Sequence, residues 1–275
     1  MTCICLISDS RGRGLKDYIK KRYIEDFPEA CNIPIFENCL PGGNFNTLCY
    51  QLKESTRVAK SQYPHHNITA LLFGGICSFT HKISKPTKQE ISYASNPRRI
   101  VNIKHALQDI NTYCVSQNIR LITTTIPPAS INKNVDFNMQ HRKLLHSAFT
   151  DNERNDKQNE LEQDVTEVNN FMTSCEAHAV NLHTEVQHTK RRRNGRSRTG
   201  TTKAPQISPK TRFCYKELTD GVHPTEALKT VIFKKIFTAI TYTPLSATAS
   251  SRHHRSERLS WYDKSNYWEG GHGGV

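Results

Sequence analysis

Apolar residues arrive along this chain in two rhythms. Short, nearly unbroken runs include Cys3-Ile4-Cys5-Leu6-Ile7, Ile68-Thr69-Ala70-Leu71-Leu72-Phe73 and Leu121-Ile122-Thr123-Thr124-Thr125-Ile126. Runs of this kind suit central parallel strands, whose two faces are both covered. Between them, apolar side chains recur every three or four residues, as on one side of a helix. Leu15, Tyr18, Ile19, Tyr23 and Ile24 do so from Leu15 to Phe27, and Ile103, Leu107, Ile110 and Cys114 do so from Ile100 to Ser116. Further helices are predicted from Asn44 to about Lys60, from about Asn138 to Phe149, from Lys157 to Glu176, and up to about Tyr242. Asn32 to Glu37 and His178 to His183 complete the strands. Lys82 to Arg99, with Pro86 and Pro97, reads as loop.

Strand and helix therefore alternate. The fold class this implies is α/β, a three-layer α/β/α sandwich around a flavodoxin-like parallel five-stranded sheet. One domain is expected over residues 1–242, with a basic loop insertion at about 187–212. Residues 243–275, rich in Ser, Arg and His, read as a disordered basic tail. In a parallel sheet the carboxyl ends of the strands share one rim, where ligands bind. Ser10, Gly43, Gly74 and His223 each follow a predicted strand and so fall on that rim.

Composition narrows the field. The 275 residues suffice for one full core, and at 36% hydrophobic content and a mean hydropathy of -0.64 the chain is on the polar side. No run reaches the ~20 apolar residues of a membrane span. The nine cysteines include no Cys-x-x-Cys pair, which favours free thiols in a reducing compartment over disulfides or zinc. With no basic region before the first apolar run, the expected location is intracellular, cytoplasmic or nuclear, and not secreted. The net charge of +13 is partly local, because Lys190, Arg191, Arg192, Arg193, Arg196 and Arg198 cluster. Such a cluster is a solvated loop, an import signal or a nucleic-acid patch. No aromatic residue interrupts it to stack on bases.

Taken singly, each rim segment is an ordinary cap or turn. Taken in order, they resemble the four blocks of the SGNH/GDSL hydrolase superfamily. Ser8-Asp9-Ser10 looks like its Gly-Asp-Ser, and Gly43 in Gly42-Gly43-Asn44 matches its second block. Gly74-Gly75-Ile76-Cys77 aligns with its third, and Asp220-Gly221-Val222-His223-Pro224 with its last. The resemblance implies a serine esterase in which Ser10 attacks, His223 moves the proton and Asp220 orients the imidazole. The backbone N–H groups of Ser10 and Gly43 would hold the oxyanion. It implies no metal and no organic cofactor, and a small ester or acylated substrate. The family's third-block asparagine is Ile76 here, so one oxyanion donor is missing. The alternative is a catalytically degenerate domain that binds a partner, nucleic acid through the basic loop among the choices. Substrate choice is expected in the loops Phe79 to Pro97 and Pro127 to Asn138; oligomeric state is not legible.

Overall fold

The fold is that of a computed structural model. It describes residues 2–241 apart from 31, 84–89, 94–95, 128, 143, 145, 175–177, 184–186, 190–210 and 214. The first compact unit is Met1–Ile240. The cluster from Lys190 to Arg198 and the tail from residue 243 lie outside the described residues.

A five-stranded parallel sheet forms the middle layer. Its strands are β1 (Thr2–Asp9), β2 (Ile35–Leu40), β3 (Asn67–Phe73), β6 (Arg120–Thr124) and β7 (His178–Val180). They lie side by side in the order β2-β1-β3-β6-β7. Counting sheet strands alone this is 2-1-3-4-5, the flavodoxin-like order, whose switch point falls between the first and third strands. Two short antiparallel pairs stand apart from the sheet. They are β4 (Thr80–Lys82) with β5 (Ile91–Tyr93), and β8 (Gln187–Thr189) with β9 (Thr211–Phe213).

Strand side chains alternate between the faces, and both faces are dry. Cys3, Cys5 and Ile7 meet α2 (Phe45–Gln62), α3 (Pro97–Ser116) and α5 (Asp151–Ser174). Ile4 and Leu6 meet α1 (Leu15–Asp26) and α6 (Glu226–Thr241) on the other side. This gives the three expected layers. Among the described residues no helix is long and apolar enough to cross a membrane.

Several boundaries differ from expectation. Asn96 accepts a hydrogen bond from the Arg98 N–H and starts α3 at Pro97, inside the expected loop. The same loop also supplies β5. The helix expected from Asn138 is α4 (Ile131–His141), which begins earlier because Ser130 caps it, accepting from the Lys133 N–H at 3.2 Å. Ile24, expected to be buried with Leu15 and Ile19, is 57% exposed. The ends of the expected loop at 187–212 pair as β8 and β9.

One buried charge ties the strand ends together. Asp9, the last residue of β1, accepts hydrogen bonds from the Arg11 N–H at 2.9 Å and from Arg11 Nε at 3.3 Å. Its Oδ2 also accepts from Arg11 Nη2 at 3.1 Å and from the Gly75 N–H, just past β3, at 3.0 Å. Arg11 Nη1 reaches across to the Pro127 carbonyl, just past β6, at 2.9 Å. The approach demands glycine. Gly74 holds φ at 136° and a Cβ on it would lie 2.6 Å from Asp9 Cγ. Gly75 holds φ at 103° and a Cβ there would lie 2.3 Å from Phe45 Cε2.

Breaking this pair on one side leaves a buried charge without its partner. Arg11→Met should lower stability by ~3–5 kcal/mol, read from urea midpoints, and adding Asp9→Asn should return part of the loss. A single variant within about 1 kcal/mol of wild type would show that the pair does not hold the strand ends.

Candidate active site

Ser10 opens a single 3-10 turn directly after β1, so its side chain stands at the sheet's switch point. The fixed Asp9 and Arg11 on either side leave little freedom in the turn. His223 and Asp220 come from the other end of the chain. They do not follow a sheet strand, as expected, but sit in a loop between the turn Tyr215–Glu217 and α6. That loop is fastened to α4. The Ser130 N–H donates to the Gly221 carbonyl at 2.7 Å, and Asn134 Nδ2 donates to the Asp220 carbonyl at 2.9 Å. Gly221 has φ of 80°, and a Cβ on it would lie 2.4 Å from the Ser130 carbonyl oxygen.

Ser10 Oγ and His223 Nε2 lie 2.9 Å apart. His223 Nδ1 and Asp220 Oδ2 lie 2.9 Å apart. Asp220 Oδ1 accepts the backbone N–H groups of Val222 at 3.1 Å and of His223 at 2.8 Å. Burial works to raise the Asp220 pKa. The His223 ring and these backbone donors outweigh it and hold the group at about 2. An ionised carboxylate only accepts, so His223 Nδ1 carries the proton and donates it. When Nε2 carries no proton it accepts the serine hydroxyl. This is the arrangement a general base needs.

The oxyanion side is sparser. Gly43 is buried, and its N–H donates to the Leu40 carbonyl at 2.9 Å. That departs from the expected role, since the amide is engaged in its own turn and another acceptor would have to share it. Ile76 is 1% exposed and packs into the core with Phe45 and Phe79, so its side chain brings no donor. Cys77 borders the cleft beside it. Burial first, and the Asp9 charge second, push its thiol up, which keeps it protonated.

Ser10, Asp220 and His223 open onto a cleft of about 880 Å³, walled by Pro41, Gly42, Cys77 and Phe137 among others. Asn134 and Ser130 were not singled out from the sequence. The signal was a serine after two prolines and before Ile131, a helix start.

A five-stranded parallel sheet in the order 2-1-3-4-5 with helices on both faces is the α/β/α architecture expected from the sequence. No family model and no curated sequence matches the chain. Among solved structures it is similar to a GDSL-like lipase from Bacteroides thetaiotaomicron. The identity is 13%, the TM-score 0.46 and the coverage 87% of each chain. It is also similar to a catalytic mutant of Axe2, an acetylxylan esterase from Geobacillus stearothermophilus. There the identity is 11%, the TM-score 0.48, and the coverage 88% of this chain and 97% of that one. The acetyl xylan esterase AlAXEase matches at 14% identity and TM-score 0.45, over 86% of this chain and 98% of its own. The chemistry of the site stands on its own distances.

Because the Asp220 pKa is lowered from 3.8 to about 2, its hydrogen bonds stabilise the fold above the ordinary carboxylate range, and that contribution is lost as pH falls through about 2. Wild type should therefore exceed Asp220→Asn in urea midpoint at neutral pH, with the gap closing between about pH 4 and about pH 2. A gap that does not change with pH would show that the carboxylate is not held this way.

Proposed function

We propose that this protein is a serine hydrolase of small acyl esters. The observation that carries the reading is the 2.9 Å contact between Ser10 Oγ and His223 Nε2, residues 213 positions apart. Buried hydrogen bonds support each side, Asp9 with Arg11 beside Ser10 and Ser130 with Asn134 behind the His223 loop, so a chance surface contact is a poor explanation.

In this reading Ser10 Oγ forms a bond to the ester carbonyl carbon while its proton moves to His223 Nε2. Asp220 stabilises the resulting imidazolium and keeps the ring in register. The alcohol leaves with the proton from Nε2, and an acyl-enzyme remains. Water then gives a proton to the same nitrogen and attacks the acyl carbon. The acid departs and the serine hydroxyl is restored.

The oxyanion is held by the Ser10 N–H, with Gly43 contributing through a shared hydrogen bond. A missing donor of this kind typically lowers turnover by ~10²–10³, so a slow enzyme is expected. The same shortage is the observation that favours the second reading, a binding domain that has lost its chemistry. Its test is a salt titration of nucleic-acid binding with and without residues 190–198. Phosphate contacts give an affinity that falls steeply with salt, with a slope that the deletion flattens.

The esterase reading is tested with p-nitrophenyl acetate and a fluorophosphonate label. Wild type should turn over the ester and take the label at Ser10, while Ser10→Ala and His223→Ala should lose nearly all of that turnover. Equal rates in wild type and Ser10→Ala would remove the catalytic reading.

A further inference from the structure

The cleft that holds Ser10 carries a surplus of positive charge. Arg13, Lys82, Arg142 and Lys229 all border it, against the carboxylates of Asp220 and Glu226. Both carboxylates are engaged within the cleft wall. Asp220 accepts from the His223 ring at 2.9 Å, and Glu226 Oε1 pairs with Lys229 Nζ at 3.3 Å. Arg11 also borders the cleft, but Asp9 already neutralises it. Arg13 and Lys82 are exposed and have no ion-pair partner among the described residues.

These cations come from different elements and surround the nucleophile. Arg13 lies in the link from the Ser10 turn to α1, Lys82 ends β4, Arg142 follows α4, and Lys229 sits in the first turn of α6. Lys229 Nζ is 3.9 Å from where a Cβ on Gly14 would be, which places it at the start of α1 near Arg13. That end of α1 adds the positive pole of its dipole. Arg142 lies over the Phe137 ring at 5.5 Å, so its charge borders an apolar wall. A concave site with an excess of one sign concentrates ligands of the other.

We propose that the ester this protein cleaves carries a negative charge, a carboxylate or a phosphate, on its alcohol portion. The cleft, at about 880 Å³, is far larger than a small acyl group, so the alcohol portion fills most of it and meets Arg13 and Lys82. The proposal rests on the esterase reading above and names the class of substrate for that same site.

Four probes share one acetyl ester and differ in charge. They are 4-acetoxybenzoate, 4-acetoxyphenyl phosphate, and the uncharged 4-acetoxybenzamide and phenyl acetate. The anionic probes should exceed the uncharged ones in kcat/KM by about tenfold at low salt, mostly through KM. The ratio should fall towards unity in the double variant Arg13→Gln/Lys82→Gln, and in wild type at about 0.5 M NaCl. Whichever anionic probe gives the larger ratio identifies the anion. A ratio of one or below, or one that ignores both salt and the double variant, overturns the proposal. Binding is read separately on Ser10→Ala by ligand-observed NMR, with 4-acetoxybenzoate against 4-acetoxybenzamide. Tighter binding of the benzoate supports the charge argument even if no ester is turned over, which would sink only the esterase reading. Equal binding overturns the charge argument whatever the turnover.

Discussion

The Asp9 carboxylate lies where β1 and β3 part, and it is nearly inaccessible to water. An ionised carboxylate there is tolerable only because hydrogen bonds from Arg11 and Gly75 saturate it. Meeting that demand fixes much else. Gly74 and Gly75 must adopt backbone angles that side chains resist, which turns the chain sharply away at the end of β3. Arg11 must fold back over the strand end, and its far nitrogen then reaches the chain leaving β6. Ser10 sits between the two partners. Its direction is set by a charge pair that itself takes no part in the proposed chemistry.

On the proposed reading Ser10 is the nucleophile and His223 its base, and a nucleophile fixed in this way is useful only if the base is fixed as well. The base is carried on a loop, which is ordinarily the less rigid choice. Here the loop is pinned from behind. Asn134 and Ser130 hold the backbone of Asp220 and Gly221, and α4 is itself held by Gln158 of α5, which accepts from the Ile131 N–H at 2.8 Å and donates to the Ala129 carbonyl at 3.0 Å. The imidazole thus inherits its position from a path through α5, α4 and two backbone carbonyls. The hydroxyl inherits its own from β1 and β3. Two supports meeting at hydrogen-bond distance, and tied to each other where Arg11 reaches the Pro127 carbonyl, give the preorganisation a proton transfer needs.

The layers were legible because both faces of the central strands are buried. Cys3 to Ile7 and Ile68 to Phe73 could scarcely read as anything else. The rim was legible at Ser10, Gly43 and Gly74, since glycine and proline punctuate strand ends, but not at His223, which follows no sheet strand. What escaped the sequence did so for stated reasons. The inward side of α4 includes Asn134 and Asn138, both buried, which breaks the apolar rhythm that reveals a helix. β4 and β5 have three residues each and carry His81 and Lys82, too short and too polar to show alternation. The buried pair of Asp9 and Arg11 looks, in sequence, like a cap and a solvated arginine. Gly43 was read from its place in a motif, and a motif does not say where an amide's hydrogen bond is already spent.

In the proposed esterase, rate and selectivity would have separate seats in the cleft. Fixed donors that strengthen only as the oxyanion forms raise kcat, whereas a charge that grips a distant anion equally in substrate and transition state lowers KM alone. The donors are few, with Ile76 turned into the core and the Gly43 amide shared with its own turn. The cations are many and line the mouth. In the proposed esterase such a site would gain little speed from its oxyanion pocket and much of its discrimination from Coulomb attraction. On that proposal discrimination weakens with ionic strength while the limiting rate changes less, because the Asp9–Arg11 pair that sets the Ser10 turn is buried away from screening ions.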